Sequence, residues 1–258
     1  MRPMSSSDLD TGVPAPATIE VDEAYLAFMR ERRAAILARL EAACARSGRS
    51  ASEVTLDAVS KTVGPAEVLA AMRAGYTSFA ENRPQELVRK LDAFAAAVIE
   101  APRFDVIGNL QKNKINAVLG RASLVQSISS LTLAQAVSSR AERTGLTVPV
   151  LLECNVSGEL SKGGFASDEV RAAADELVAL PALSIEGVMC MAPAHDAGAA
   201  RRTFAGAREL REELRGRMGL ALPTLSCGMS DDFEIAVEEG STLVRLGRIV
   251  FSAEYDLA

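Results

Sequence analysis

Residues 54–67 read Val-Thr-Leu-Asp-Ala-Val-Ser-Lys-Thr-Val-Gly-Pro-Ala-Glu, and this stretch decides the fold. Its first six residues form a largely apolar run that is typical of a buried strand. The Gly64-Pro65 pair is typical of a helix start, because proline is favoured at the first helical position. The stretch therefore predicts a strand, a short loop that carries Lys61, and a helix.

The same order of strand and helix recurs along the rest of the chain. The predicted strands begin near Val54, Thr77, Arg103, Ser123, Val148, Leu183, Pro223 and Thr242. The predicted helices are Ala66–Ala74, Pro84–Ile99, Lys112–Leu119, Thr132–Arg143, Asp168–Ala179, Gly198–Arg217, Asp231–Glu239 and a short segment after Arg248. Eight such pairs predict an α/β fold, a single closed (β/α)8 barrel of the TIM type.

An open, doubly wound parallel sheet is the alternative fold. Such a sheet usually has fewer strands, and a G-x-G-x-x-G turn follows its first strand. Residues 60–64, Ser-Lys-Thr-Val-Gly, lack that spacing. The barrel is therefore the favoured interpretation.

The chain before the first strand has two parts. Residues 20–46 carry apolar side chains at three- and four-residue intervals and predict a long helix that packs against the body. Residues 1–19 are expected to form a disordered tail rather than a signal peptide or membrane anchor, because they lack an apolar core segment. No later run is long enough to span a bilayer. We therefore expect one domain over residues 20–258 and no membrane partner.

The composition argues against nucleic acid and metal ions as partners. A net charge of −6 and an aromatic content of 4% lack the cationic surface and stacking platforms that nucleic-acid binding needs. The four cysteines lie far apart and only one histidine, His195, accompanies them, so no metal site is predicted. Reduced, buried thiols in a cytoplasmic protein are expected.

Lys61 has two interpretations. A lysine at a strand end often extends its ammonium group to solvent and has no function. Among apolar strand ends, however, the ammonium loses water, and the neutral amine can then form a Schiff base with an aldehyde.

The seventh and eighth predicted strands are followed by small-residue loops, residues 226–232 and 245–248. In TIM-type barrels these two loops commonly hold a phosphate. Gly228 and Gly247 would let backbone N–H groups approach an anion, and the Ser230 hydroxyl could donate to it. Taken singly, Ser230 is an ordinary helix cap and Gly247 an ordinary turn residue. An amine beside two loops that suit a phosphate indicates a binding site for a phosphorylated aldehyde. Pyridoxal 5′-phosphate (PLP) is the common cofactor that carries both groups.

Ordered motifs along the chain also point to PLP. They are Ala-Val-Ser-Lys-Thr at 58–62, Glu81-Asn82, Ile-Gly-Asn-Leu-Gln at 107–111, Asn-Val-Ser-Gly-Glu at 155–159, Gly-Met-Ser-Asp-Asp-Phe-Glu at 228–234 and Val-Arg-Leu-Gly at 244–247. From the first long helix to the C-terminus, the chain closely resembles the pyridoxal-phosphate homeostasis proteins. The resemblance implies a barrel like the N-terminal domain of alanine racemase that binds PLP without an established turnover.

The resemblance also implies roles for individual residues. Lys61 matches the Schiff-base lysine, Asn82 a pocket asparagine, and Arg245 the arginine that faces the pyridine nitrogen. Met229, Ser230 and Gly247 match the phosphate cradle, and Ser226 and Arg248 of the same two loops are further candidates for cofactor binding. Three residues depart from the family pattern, in which glycine is usual at positions 80 and 252 and threonine at 248; here they are Ala80, Ser252 and Arg248. Arg248 is expected either to pair with the phosphate or to point to solvent.

Three functions remain open at this point. The first is a PLP carrier, a monomer or weak dimer that buffers the aldehyde and contacts PLP-dependent apo-enzymes transiently. The second is an amino-acid racemase or decarboxylase, which needs a positioned acid/base, and none of the three tyrosines, at 25, 76 and 255, falls where a predicted loop would supply one. The third is an aldolase-like barrel that binds a sugar phosphate directly. The carrier is the favoured hypothesis. The glycine-rich loop at 155–165 is either a cover over the barrel mouth or a solvated connection.

Overall fold

The computed structural model describes residues 16–159 and 162–257, and their main strands close into one parallel barrel. The barrel strands are β1 (Thr55–Val59), β2 (Ser78–Glu81), β3 (Arg103–Val106), β4 (Leu124–Ile128), β5 (Val148–Asn155), β6 (Leu183–Met189), β7 (Thr224–Ser226) and β8 (Leu243–Leu246). Each strand pairs with the next, and β8 pairs with β1. A two-residue strand, Phe165–Ala166, extends β5 outside the ring. The predicted barrel is confirmed, and every strand begins within one residue of its predicted start.

The helices surround this barrel. They are α1 (Glu23–Arg46), α2 (Pro65–Arg73), α3 (Pro84–Ala96), α4 (Ile115–Val118), α5 (Leu131–Arg143), α6 (Ser167–Ala172), α7 (Ala174–Val178), α8 (Ala197–Met218), α9 (Phe233–Glu238) and α10 (Arg248–Phe251). Short 3₁₀ turns cover Ala51–Glu53 and Lys112–Lys114. Within residues 16–159 and 162–257, no helix combines the length and apolar character needed to cross a bilayer.

Two predicted helices differ from the structure. The helix expected over 112–119 begins as a 3₁₀ turn, and the one expected over 168–179 is divided into α6 and α7 at Ala173. Residues 171–175 contain neither glycine nor proline, so no helix-breaking residue accounts for the interruption.

Helix α1 covers the join between the two ends of the barrel. Its buried face includes Met29, Ile36 and Leu40, while Arg39 forms a two-bond ion pair with Glu234 of α9 at 3.2 and 3.0 Å. Because this ion pair is partly exposed, the apolar face contributes most of the stabilisation. Ahead of α1, the Ala17 N–H donates to the Ala96 carbonyl at 2.9 Å, and Ile19 packs on the core. Residues 1–15 of the expected tail lie outside the described residues.

Side chains alternate between the two faces of each strand. One apolar cluster lies inside the barrel and consists of Leu124, Leu151, Met189 and Leu243. A larger cluster lies between the sheet and the helices and includes Ala58, Phe79, Val244 and Leu246. The four cysteines are free and buried, which confirms their predicted packing role. This alternation decides which residues reach the centre of the barrel mouth.

Gly187 in β6 permits the close approach of β7. A Cβ atom at this position would overlap the Thr224 carbonyl oxygen. We expect Gly187→Ala to lower the free energy of unfolding by about 1–3 kcal/mol, measured by urea titration followed by circular dichroism. The control is Gly216→Ala in α8, where a Cβ meets nothing within 4 Å, and it is expected to raise that free energy by about 0.5–1 kcal/mol. Equal stability of the two variants would contradict the packing argument.

Candidate functional site

A cavity of about 730 Å³ opens at the carboxyl ends of the barrel strands. Its volume suits a small-molecule ligand, and this end of a TIM-type barrel is the usual place for a site. All the predicted site residues except Ser226 line it, namely Lys61, Asn82, Met229, Ser230, Arg245, Gly247 and Arg248. The structure therefore brings together residues that are up to 187 positions apart in the chain, from Lys61 to Arg248.

Lys61 reaches the cavity because of the strand alternation on β1. Asp57 and Val59 face the barrel interior, and Lys61 continues this inward series two residues beyond Val59. The Lys61 side chain is exposed in the open cavity, so the expectation that apolar strand ends remove water from its ammonium group is wrong. Within the described parts of the chain, no hydrogen bond or ion pair engages its amine. The amine is therefore available to a ligand.

Ser230 and Gly247 lie where the loops that follow β7 and β8 meet. Ser230 is 4% exposed, and its Oγ accepts a hydrogen bond from the Ile249 N–H at 3.2 Å. The hydroxyl proton of Ser230 therefore remains able to donate into the cavity. Gly228 was expected to approach an anion, but it lies outside the cavity wall. A Cβ on Gly228 would stand 2.7 Å from the Cβ of Ala236, so this glycine serves close packing against α9.

The carboxylates of the same loop, Asp231 and Asp232, also line the cavity, and each accepts hydrogen bonds from neighbouring groups. Asp232 Oδ1 accepts from the Met229 N–H at 2.6 Å, and burial raises the pKa of Asp232. Asp231 accepts from Arg248 at 2.5 Å and from the Tyr255 hydroxyl at 2.9 Å. Arg248 is thus held at the rim by an exposed ion pair, which contributes little to stability.

Arg245 is the buried cation of the cavity. It is 4% exposed, and its Nη1 donates to the carbonyl and Oγ of Ser226 at 2.8 and 2.5 Å. Its Nη2 donates to the Cys190 carbonyl at 3.1 Å. Among residues that the structure describes, Arg245 has no ion-pair partner within 4.0 Å, so its charge is free to interact with an anionic or electron-rich ligand. Ser226, predicted to contact the ligand, instead lies behind Arg245 and fixes it.

A polar network continues from Ser226 into the barrel. The Ser226 hydroxyl donates to Gln126 Oε1 at 2.7 Å, and Gln126 Nε2 donates to Asp57 Oδ2 at 2.9 Å and Asp105 Oδ2 at 2.8 Å. Complete burial and the neighbouring Asp105 carboxyl raise the pKa of Asp57 well above its usual range, and burial also raises the pKa of Asp105. Two such close carboxyl groups are expected to share a proton.

Sequence reasoning missed one wall of the cavity. Met189, Met191 and the β6–α8 loop form this wall, and in that loop His195 has a φ of 60°. The available signal was positional, because loops that follow barrel strands line the site. Lys162, by contrast, stands outside the wall and pairs with Glu159 at 2.8 Å.

The fold and the cavity define a (β/α)8-barrel protein with a small-molecule site at the carboxyl ends of its strands. Residues 33–254 match the family described as alanine racemase, N-terminal domain. The chain is 36% identical over 222 residues to the pyridoxal phosphate homeostasis protein of Aquifex aeolicus, covering 86% of this chain and 96% of that protein.

Two solved structures are similar over nearly their whole length. A protein of unknown function from Bifidobacterium adolescentis superposes with a TM-score of 0.85 at 35% identity, covering 92% of this chain and 100% of that one. PipY of Synechococcus elongatus, solved with PLP bound, gives a TM-score of 0.76 at 30% identity, covering 87% of this chain and 100% of that one. The chain belongs to the pyridoxal phosphate homeostasis proteins, within the alanine racemase N-terminal domain family.

The Asp57–Asp105 pair predicts a pH dependence of stability. A carboxyl whose pKa is raised on folding binds its proton more tightly in the folded state, so its stabilisation is complete below the unfolded pKa of about 3.9 and is lost as the pH rises toward the folded value. Asp57→Asn, neutral and of the same shape, is expected to remove this loss.

The measurement is the urea midpoint of wild type and variant at a series of pH values from about 4 to 7. The difference in stability should shift in favour of Asp57→Asn as the pH rises. Asp92→Asn, at an exposed position of α3, is the matched control and should not reproduce that shift. A constant difference between wild type and Asp57→Asn would contradict the shared proton.

Proposed function

We propose that this protein binds PLP, holds it as a Schiff base on Lys61, and acts in PLP homeostasis by buffering the aldehyde and delivering it to apo-enzymes. The observation that carries the proposal is the single cavity that unites a free Lys61 amine, the Ser230–Gly247 loops and the buried Arg245. The names of the relatives and the PLP bound to PipY support the same cofactor.

The residues of the cavity fit the chemistry of PLP. The Lys61 amine would supply the nitrogen of the Schiff base, whose formation from an amine and an aldehyde releases one water. The phosphate would be held by the Ser230 hydroxyl and by backbone at Gly247, while the neighbouring carboxylates of Asp231 and Asp232 accept other hydrogen bonds. Asn82, on the wall beside Lys61, would contact the ring.

Arg245 favours storage over catalysis. A guanidinium only donates hydrogen bonds, so Arg245, if it lies opposite the ring nitrogen as the resemblance implies, would disfavour protonation of that nitrogen. When bound, PLP supplies an electron sink, and an unprotonated ring weakens it. The bonds that Arg245 donates to Ser226 and to the Cys190 carbonyl fix its guanidinium in the cavity wall.

The tyrosines give no support to a racemase or decarboxylase. None of the three lines the cavity. Burial raises the pKa of Tyr25 to about 12 and raises that of Tyr76 further, and the Tyr255 hydroxyl donates to the Ser230 carbonyl at 2.8 Å. A phenol acting as acid/base would need contact with the ligand and a pKa nearer neutrality. The carrier requires no such group.

Lys61→Ala tests the covalent link. Wild-type protein titrated with PLP is expected to develop the visible absorbance band of a Schiff base, and Lys61→Ala is expected to lose it. Lys162→Ala is the matched control and should keep the band, because that lysine lies outside the cavity wall. Loss of the band in Lys162→Ala with retention in Lys61→Ala would overturn the assignment. A wild type that shows no band but cleaves a sugar phosphate would favour the aldolase-like alternative.

Ser230→Ala tests the phosphate loops separately. Removing the hydroxyl donor is expected to weaken binding of PLP and of pyridoxine 5′-phosphate alike, by about 1.5 kcal/mol or roughly tenfold, as measured by calorimetry. Pyridoxine 5′-phosphate has no aldehyde, so Lys61→Ala should leave its affinity nearly unchanged. Unaltered affinities in Ser230→Ala would show that the phosphate is held elsewhere.

A further inference from the structure

Two residues next to the cavity point away from it. Ser60 directly precedes Lys61, and Glu81 directly precedes Asn82. Because side chains alternate, Lys61 and Asn82 face the cavity while Ser60 and Glu81 face the helix layer, where both are 0% exposed.

A single buried lysine joins these two residues. Lys90 of α3 is 0% exposed; its Nζ donates to the Ser60 carbonyl at 2.7 Å and forms an ion pair with Glu81 Oε1. The Ser60 hydroxyl donates to the same Glu81 oxygen at 2.6 Å. We call these three residues, Ser60, Glu81 and Lys90, the Lys90 clamp.

The backbone around the clamp is also fixed. The Ser60 N–H donates to the Ala80 carbonyl at 3.0 Å, and the Glu81 carbonyl accepts from the Ile107 N–H at 2.9 Å. The carbonyl bound by Lys90 belongs to the peptide group that joins Ser60 to Lys61. The clamp therefore holds the peptide from which the Lys61 side chain departs.

Stability is a weak reason for such an ion pair. Burying two charges is costly, and apolar replacements of both partners are often neutral or stabilising. The Glu81 pair is also incompletely satisfied, because Glu81 Oε2 is buried without a hydrogen-bond partner among the described residues. The clamp instead fixes the backbone at Ser60 and Glu81, which directly precede the two cavity residues Lys61 and Asn82.

We propose that Lys90 is a positioning residue for the Schiff-base lysine. Through the Ser60 carbonyl it orients Lys61, and through Glu81 it orients Asn82, so that amine and amide meet the aldehyde in one geometry. This role rests on the proposed Schiff base at Lys61. A reacting group misplaced by about 1 Å loses roughly a hundredfold in rate.

The test uses paired substitutions in the full chain. Lys90→Met alone would leave the Glu81 charge buried without a partner and lower stability. The double variant Lys90→Met with Glu81→Gln removes both charges and keeps the side-chain volumes close to the originals. Ser60→Ala keeps both charges and loses only the hydroxyl bonds to Glu81 and to the Ala80 carbonyl, which makes it a milder second variant. Lys112→Met, at an exposed position, is the matched control for loss of one lysine.

Two readouts separate positioning from general structure. The first is the rate of Schiff-base formation with PLP, followed by stopped-flow absorbance. The second is the affinity for pyridoxine 5′-phosphate, which uses the phosphate loops and has no aldehyde. The double variant is expected to form the Schiff base roughly 10- to 100-fold more slowly, while its affinity for pyridoxine 5′-phosphate stays within about twofold. Ser60→Ala should slow the reaction in the same direction by less, and Lys112→Met should match wild type.

Each other outcome overturns the role of Lys90. An unchanged rate in the double variant would show that Lys61 is oriented without the clamp. An equal loss of Schiff-base formation and of pyridoxine 5′-phosphate binding would reduce the clamp to a packing role. If wild type itself forms no Schiff base at Lys61, the proposed function fails first, and that failure is visible before any Lys90 variant is compared.

Discussion

Pairing between the first and last barrel strands is the interaction on which the rest of the structure depends. In this parallel pair, Asp57 lies beside Arg245 and Ala58 beside Leu246. Closure places residues from the two ends of the domain at one barrel mouth, and alternation turns Lys61 and Arg245 inward. Neither residue would share a cavity with the other in an open sheet, because strands at opposite edges do not meet. Helix α1 covers this join from outside.

The first strand is held from both sides by polar contacts. Inside the barrel, hydrogen bonds run from Arg245 through Ser226 and Gln126 to the Asp57–Asp105 pair. Outside the barrel, Lys90 of the clamp donates a hydrogen bond to the carbonyl of the peptide group that joins Ser60 to Lys61. Buried polar groups are costly unless they are bonded, and when bonded they impose one geometry. The interior network ends at the cavity residue Arg245, and the clamp ends at Ser60 and Glu81, which directly precede the cavity residues Lys61 and Asn82.

Most of the fold could be predicted from the sequence, because the signals for strands and helices are local. Apolar runs that alternate with helical patterns located all eight strands, and the Gly64-Pro65 helix start placed Lys61 in the loop after β1. The Lys90–Glu81 pair was not predictable, since a lysine nine residues after a glutamate resembles any exposed helix charge until β2 and α3 pack together. For the same reason, the sequence could not show that Gly228 and Ser226 lie outside the cavity lining. The sequence shows that a loop is small and polar, but tertiary packing decides which of its residues faces the ligand.

The central claim is a covalent bond between PLP and one particular lysine. The most direct measurement is borohydride reduction of the PLP-loaded protein, followed by proteolysis and mass spectrometry of the labelled peptide. We expect a single pyridoxyl-phosphate label on Lys61. A label confined to another lysine, or no label at all, would contradict it.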